Sequence, residues 1–327
     1  MNDFLQSSHA LRNQLEYALK ACGLPISVTP EQIRPLQQDT QGYTYAVRPV
    51  ANKRGFIVRL HPSPLPDKTA LHAHYMAQSL YYRLAHHVHD AVCPSIYHYY
   101  VNSDMACSIE SELVAVPQHH MSAKDWHQMG HMLGTFIGQM NQKSAHLKGM
   151  GTLSWNGAKL FGVDSLVNLR LIDRTPYDQA LEIILSAYPH HKTLLSQTLE
   201  VILPLRSVEE AVILVNGDGG SVFPQVFSPA QMGVGIHAVK PLLGNGHHYA
   251  AQLVYTLLHE AHPHVDTLVH GFISSYPDKL LLLAELWLWL LLALAQDNHD
   301  EQARRHHESP KLGHLLNVSL DIHRALW

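Results

Sequence analysis

The sequence predicts an α+β protein in two parts, a β-rich N-terminal part with one inserted helix followed by a larger helical part. Three observations carry this. Short β-branched or aromatic runs separated by Pro, Gly, Asn and Asp crowd the first third of the chain. Apolar residues at helical spacing dominate the remainder. Hydrophobic residues make up 46% of the 327 positions and charged ones 15%, enough to bury a sizeable core and too apolar for a disordered polymer.

In order along the chain, Phe4, Leu5, Leu11, Leu15, Ala18 and Leu19 predict a first helix over residues 3–21, stopped by Gly23 and Pro25. Strands are expected at 33–36, 43–47, 55–60, 95–101 and 106–116. Between the third and fourth, Leu71, Tyr75, Met76, Leu80 and Leu84 predict a helix over 68–89. After a connection at 117–122, helices are expected at 124–142, 163–172, 176–188, 192–205, 249–260, 265–275 and 278–296. The exceptions are an apolar strand at 211–215, the turn Asn216-Gly217-Asp218-Gly219-Gly220, and a hairpin over 222–239. The expected domains are therefore 1–116 and 117–327.

Charge narrows the function. Lys plus Arg number 23 and Asp plus Glu 27, for a formal net charge of −4, so no basic excess exists for a phosphate backbone and nucleic acid is not an expected partner. Cys22, Cys93 and Cys107 are odd in number, lack CxxC spacing and predict no disulfide framework, which suits a reducing cytoplasm. The apolar run at 280–295 is interrupted by Glu285 and reads as a buried helix rather than a membrane span. The all-round apolar stripe Leu286, Trp287, Trp289 and Leu290 reads as core or as a subunit interface that would make a homodimer. Tyr97, Tyr99 and Tyr100 alternate along a strand and read as packing.

There are 27 histidines. His72 with His74, His86, His87 and His89, and His259, His262 and His264 form clusters that invite a metal reading. His259-Glu260-Ala261-His262 is one residue short of the His-Glu-x-x-His spacing, and compositional bias explains the spread more simply. Adjacent pairs such as His86-His87, His119-His120 and His247-His248 are expected to titrate with difficulty wherever they are buried, lowering stability between about pH 7 and pH 5. Gly233-Val234-Gly235-Ile236-His237-Ala238 formally matches a dinucleotide fingerprint but does not open a long helix after a strand.

Strands with one helix, a linker, helices, a hairpin at a polar turn and more helices is the chain order of a protein-kinase-like bilobal fold. The chain resembles the aminoglycoside phosphotransferase and choline kinase group over most of its length. Gly55-Phe56-Ile57-Val58-Arg59-Leu60 resembles the strand whose basic residue contacts nucleotide phosphates, and Gln38 to Tyr45, with Gly42, the nucleotide-covering loop. Gly151 to Gly157 resembles the segment after the first large-lobe helix. Val215-Asn216-Gly217-Asp218 resembles the catalytic loop, Gly233 to His237 the following metal-binding strand, and His270-Gly271-Phe272 with the Leu-rich helix behind it the C-terminal helix pair.

The resemblance implies ATP with Mg²⁺, a small-molecule or nucleotide ligand between the lobes, and roles for individual residues. Asp218 would orient or deprotonate a substrate hydroxyl, Arg59 would contact phosphates with Gly42 nearby, and Asn216, Ser221 and His237 would surround the metal. Asp218 in an ordinary Gly-rich turn is the competing reading. Several positions depart from the family pattern. Phe223 stands where a metal-binding Asn is expected, His237 where an Asp is expected, and Asn216 where a His precedes the Gly. His72 and His74 stand where a Glu would hold the basic residue. Imidazole and phenyl groups are poor partners for hard Mg²⁺. The expectation is a degenerate, pseudokinase-like ligand-binding or regulatory protein, with an active small-molecule phosphotransferase as the alternative and a His-coordinated metalloprotein as a third class.

Overall fold

The computed structural model describes residues 2–39, 42–49, 55–62, 65, 67–113, 121–144, 147–164, 174–206, 212–216, 222–228, 231–236, 241–258, 264–299 and 310–326. Helix α1 spans Asn2–Ala21 and is followed by strands β1 (Ile33–Asp39), β2 (Gly42–Val47) and β3 (Phe56–Pro62). Next come α2 (Lys68–Ala85), β4 (Ala91–Val92), β5 (Tyr97–Val101), β6 (Met105–Ser111), α3 (Ala123–Ser144), β7 (Met150–Trp155) and β8 (Leu160–Asp164). Helices α4 (Thr175–Ala187) and α5 (Lys192–Arg206) precede β9 (Val212–Asn216), β10 (Val222–Ser228), β11 (Gln231–Ile236) and β12 (Pro241–Asn245). Helices α6 (Gly246–Leu258), α7 (Val265–Ser275), α8 (Lys279–His299) and α9 (Pro310–Leu326) complete the chain. The fold class is α+β, with an antiparallel sheet early and helices late.

Two compact units form, and neither is continuous in sequence. The first comprises Met1–Gln118, Thr152–Phe161 and Asn216–Leu242, the second His119–Gly151, Gly162–Val215 and Leu243–Trp327. A single cut at residue 116 misses the two later excursions. The reason is strand pairing, which spacing along the chain does not encode: β11 runs parallel to β4, with Val234 opposite Ala91 and Gly235 opposite Val92. Asp90, in the left-handed region at φ 63°, turns its carbonyl to accept the Val234 N–H at 2.8 Å.

In the first unit a five-stranded sheet has the order β1-β2-β3-β6-β5, antiparallel throughout. Side-chain alternation gives it two faces. Tyr45, Val47, Val58, Leu60, Cys107 and Ile109 pack against Leu15, Ala18, Leu19 and Cys22 of α1 and the residue after it. The other face carries α2, whose Tyr75 and Tyr82 rings meet Tyr99 and Tyr97 at 5.6 and 5.0 Å. Helix α1 closes with Leu24 N–H bonded to the Leu19 carbonyl and Gly23 N–H to Lys20, with Gly23 at φ +79°. At the outer β1 strand, Pro35 and a register shift before Gln37 suit an edge.

The second unit is built on α8. Leu282, Leu286, Trp287, Leu290, Leu291 and Leu294 are almost wholly buried, so the helix is core even though its length and apolarity meet the test for a membrane span. Trp287 donates its indole N–H to Ser319 Oγ on α9 at 2.7 Å. Glu285, 3% exposed, lies 3.0 Å from His248 Nδ1. Helices α3 and α7 approach closely along Gly130, Gly134 and Gly271, where backbone meets backbone, and Gly138 of α3 faces the ring of Pro277 just after α7.

Several expected elements differ. Residues 163 and 164, assigned to a helix, end strand β8, and β7 and β12 are further strands in a sheet of order β8-β7-β12-β9. Gly149 and Gly151, at φ +86° and +73°, carry the chain into β7 in a conformation that disfavours other residues. Helix α9 lies beyond the last expected helix; its buried Leu312, Leu315, Val318 and Ile322 have helical spacing that the polar stretch before it obscures. Helix α2 ends at Ala85, so His86 to His89 follow it rather than extend it.

At the start of α6, Asn245 Oδ1 accepts the His247 and His248 N–H groups. His247 Nδ1 lies 3.0 Å from Tyr276 OH, which also accepts a hydrogen bond from Asn141 Nδ2 at 2.9 Å. Burial holds the His247 pKa below its ordinary value, against the pull of Asp278 and Glu285. A histidine whose folded pKa lies below the unfolded ~6.5 stabilises the fold above that pH and loses the contribution as pH falls towards the folded value. The melting temperature is therefore expected to fall from about pH 7 to pH 5. The gap between wild type and His247→Gln should narrow over the same window, measured by thermal melts in matched buffers. Equal slopes for the two proteins would remove His247 as the cause. The carboxylates with depressed pKa values, Glu112 among them, act below this window.

Candidate functional site

The residues expected to bind phosphate sit on the α2-facing side of the first unit's sheet. Arg59 lies mid-strand in β3, opposite Thr44 on β2 and Ser108 on β6. Alternation puts it on the same face as Ile57 and His61, with Glu110 opposite Ile57 and Tyr97 opposite Glu110. As a residue Arg59 is half-buried. Burial raises the phenol pKa values of Tyr75 and Tyr97, and the positive charge of Arg59 opposes that rise at both. Arg59 thus projects a fixed cation at a sheet face lined by phenol groups, a setting that favours anionic oxygens.

Two hydrogen bonds lie on the same face. Tyr82 OH donates to Glu110 Oε2 at 2.6 Å, and Tyr97 OH donates to Gln78 Oε1 at 2.6 Å. Gln78 and Tyr82 are 2% exposed, Glu110 8%. Both bonds join α2 to the sheet and set the helix at a fixed height over β5 and β6. His72 and His74, expected opposite the basic residue, instead meet aromatic rings, His72 edge-on to Tyr99 at 5.7 Å and His74 against Tyr75 at 5.7 Å. The buried polar residue that α2 turns to the sheet is Gln78, which sequence reasoning missed. Its signal was its position seven residues after Leu71 on the same apolar face, two helical turns on.

Gly42 opens β2 opposite Asp39 of β1. A Cβ there would lie 2.3 Å from the Leu60 carbonyl and 3.2 Å from His61 Nδ1, so the position needs a glycine for close approach to β3. The structure therefore brings Gly42 and Arg59 onto neighbouring strands. Just beyond, Arg48 forms a two-pronged ion pair with Glu112, Nε to Oε2 at 2.8 Å and Nη2 to Oε1 at 2.6 Å, and this depresses the Glu112 pKa. It ties the end of β2 to the residue after β6.

The catalytic-loop expectations fall differently. Asn216 ends β9 and Phe223 is in β10, both as backbone positions. Asp218, Ser221 and His237 lie outside the described residues, as do His259 and His262. Strands β10 and β11 form an antiparallel hairpin in which Phe223 pairs with Gly235. The glycines of the formal dinucleotide fingerprint are thus hairpin residues, not the opening of a helix. Among the described residues no group of three His, Cys, Asp or Glu side chains could hold a metal ion.

No family model matches the chain, and no curated protein matches it. It is similar to solved structures of phosphotransferase fold. One is a candidate fructosamine-3-kinase from Thermobifida fusca YX-ER1, at 13% identity over 94% of this chain and 96% of that one, with a TM-score of 0.47. Another is the apo form of a thermostable mutant of an aminoglycoside phosphotransferase, at 13% identity over 94% and 97%, with a TM-score of 0.48. A third is a spectinomycin phosphotransferase in complex with ADP and spectinomycin, at 12% identity over 97% and 98%, with a TM-score of 0.39.

Proposed function

We propose that this kinase-fold protein binds the phosphates of a nucleotide through Arg59 and acts as a ligand-binding or regulatory protein without ordinary Mg²⁺-dependent phosphotransfer. The observation that carries the reading is the placement of Arg59 in the middle strand of the first unit's sheet, under α2 and beside Gly42. The sequence resemblance gives the basic residue of that strand the phosphate contact. The donor set fits the phosphates and not the metal. Arg59 offers a guanidinium to phosphate oxygens. Mg²⁺ needs near-octahedral oxygen, whereas Phe223 offers no donor atom and His237 offers nitrogen. No step is therefore assigned to a metal. Localisation in the cytoplasm and a homodimer remain parts of the same proposal.

The test is calorimetric titration with ATP and ADP, with and without Mg²⁺ or Mn²⁺, alongside a phosphotransfer assay on a panel of hydroxyl acceptors. Binding that is weak, independent of metal and lost in Arg59→Ala is the expected result. Metal-dependent turnover abolished by Asp218→Asn would establish the alternative, an active small-molecule phosphotransferase. That variant removes charge and basicity with little change in volume.

A further inference from the structure

The core between α1 and the sheet contains a thiol pair that the nucleotide reading does not use. Cys22, directly after α1, and Cys107, in β6, have their sulfurs 3.7 Å apart although 85 residues separate them. Cys22 is 7% exposed and Cys107 fully buried, both among Leu19, Val58, Leu60 and Ile109. We propose that Cys22 and Cys107 form a reversible disulfide in response to a hydroperoxide, tying the end of α1 to the central sheet.

The two thiols are not equivalent. Either sulfur can be the donor at 3.7 Å, and with Cys107 S–H donating to Cys22 the Cys22 pKa is lowered and that of Cys107 raised. Cys22 is the one at the edge of the core, 7% exposed where Cys107 is wholly buried, which assigns it the attack as the thiolate. Its thiolate displaces water from hydrogen peroxide, consuming one proton and leaving a sulfenic acid. Cys107 sulfur then attacks that sulfur, releasing a second water and forming the S–S bond. Two thiols and one peroxide become one disulfide and two waters, and a thiol reductant reverses the change.

Bond formation requires the sulfurs to close by about 1.7 Å, to the ~2.05 Å of a disulfide. That movement falls on Cys22, which lies at a helix end with Gly23 immediately after it, rather than on a strand paired on both sides. Cys107 pairs with Leu60 and Ser108 with Arg59, so the bond would anchor the strand beside Arg59. The inference stands independently of nucleotide binding. Cys93 is a natural control: it is buried, and burial pushes its thiol up to about 12.

The experiment treats the native full-length chain with hydrogen peroxide, quenches it, denatures it, alkylates free thiols and measures intact mass and the peptides of a combined trypsin and Asp-N digest, because cleavage before Asp104 separates Cys93 from Cys107. One alkylation instead of three is expected, with a Cys22–Cys107 linked peptide, full recovery after dithiothreitol, and a melting temperature raised by several degrees in the oxidised protein. Cys93→Ser should behave as wild type with one thiol fewer. Cys22→Ser should abolish the link. Three alkylated cysteines after oxidation, a link involving Cys93, a link between two chains, or stable sulfinic acid at Cys22 would each overturn the proposal. Because the linked peptide is read in wild type, the test survives even if Cys22→Ser fails to fold.

Discussion

Gly130→Ala is expected to destabilise the protein by about 3 kcal/mol, large for the addition of one methyl group. A Cβ at this position would lie 1.9 Å from the Leu268 carbonyl oxygen and 2.8 Å from its carbon. Both obstacles are backbone in α7, so no rotamer change relieves the clash and the helices must separate. Separation would open the contacts at Gly134 and Gly271 too, where added Cβ atoms already meet backbone atoms at 2.5 and 2.1 Å. Gly130→Leu should prevent folding altogether. Gly313→Ala, in α9, is the matched control: nothing lies within 4 Å of its Cβ. There the better helix propensity of Ala should stabilise by about 0.5–1 kcal/mol. Denaturant midpoints of the three proteins check the result, and a Gly130→Ala midpoint equal to wild type would refute the close approach of α3 and α7.

Trp287→Ala is expected to cost about 3–5 kcal/mol, because truncating a fully buried indole leaves a cavity that the surrounding helices fill only in part. Trp287→Phe separates packing from hydrogen bonding. Phenylalanine retains most of the apolar volume but removes the indole N–H bonded to Ser319 Oγ at 2.7 Å. Ser319 still donates to the Leu315 carbonyl at 2.9 Å, so no donor is stranded and the loss should be about 1–2 kcal/mol. Urea unfolding of the two variants, with Ser319→Ala as the partner in a double-mutant cycle, provides the measurement. A Trp287→Ala cost below about 1 kcal/mol would mean that the indole is not in the core.

The aromatic run Tyr97, Tyr99 and Tyr100 shows how far a sequence pattern reaches. Its alternation announced a strand and its composition announced packing, and both hold: Tyr97 and Tyr99 meet α2, while Tyr100 joins the core under α1. The pattern did not reveal that Tyr97 OH would bond Gln78, or that Glu110 would be buried beneath Tyr82. A hydrogen bond between residues far apart in sequence depends on strand register and helix height, and period-two alternation carries neither. The short strands β4, β7 and β12 escaped for a related reason. Two to six residues of weak β character become strands only when a partner supplies the other half of the ladder.

Period and composition were enough to determine the helices that bury one face, the strands of the first sheet, the position of Arg59 in one of them, and the reading of the Leu-rich segment as core. These depend on local spacing and on the solvent preference of side chains, which the chain carries residue by residue. Tertiary structure alone decided which later segments join the N-terminal unit, the glycine contact between α3 and α7, the burial of His247 against Tyr276, and the meeting of Cys22 with Cys107. Each of these is a distance between residues remote in sequence, set by the packing of whole elements against one another.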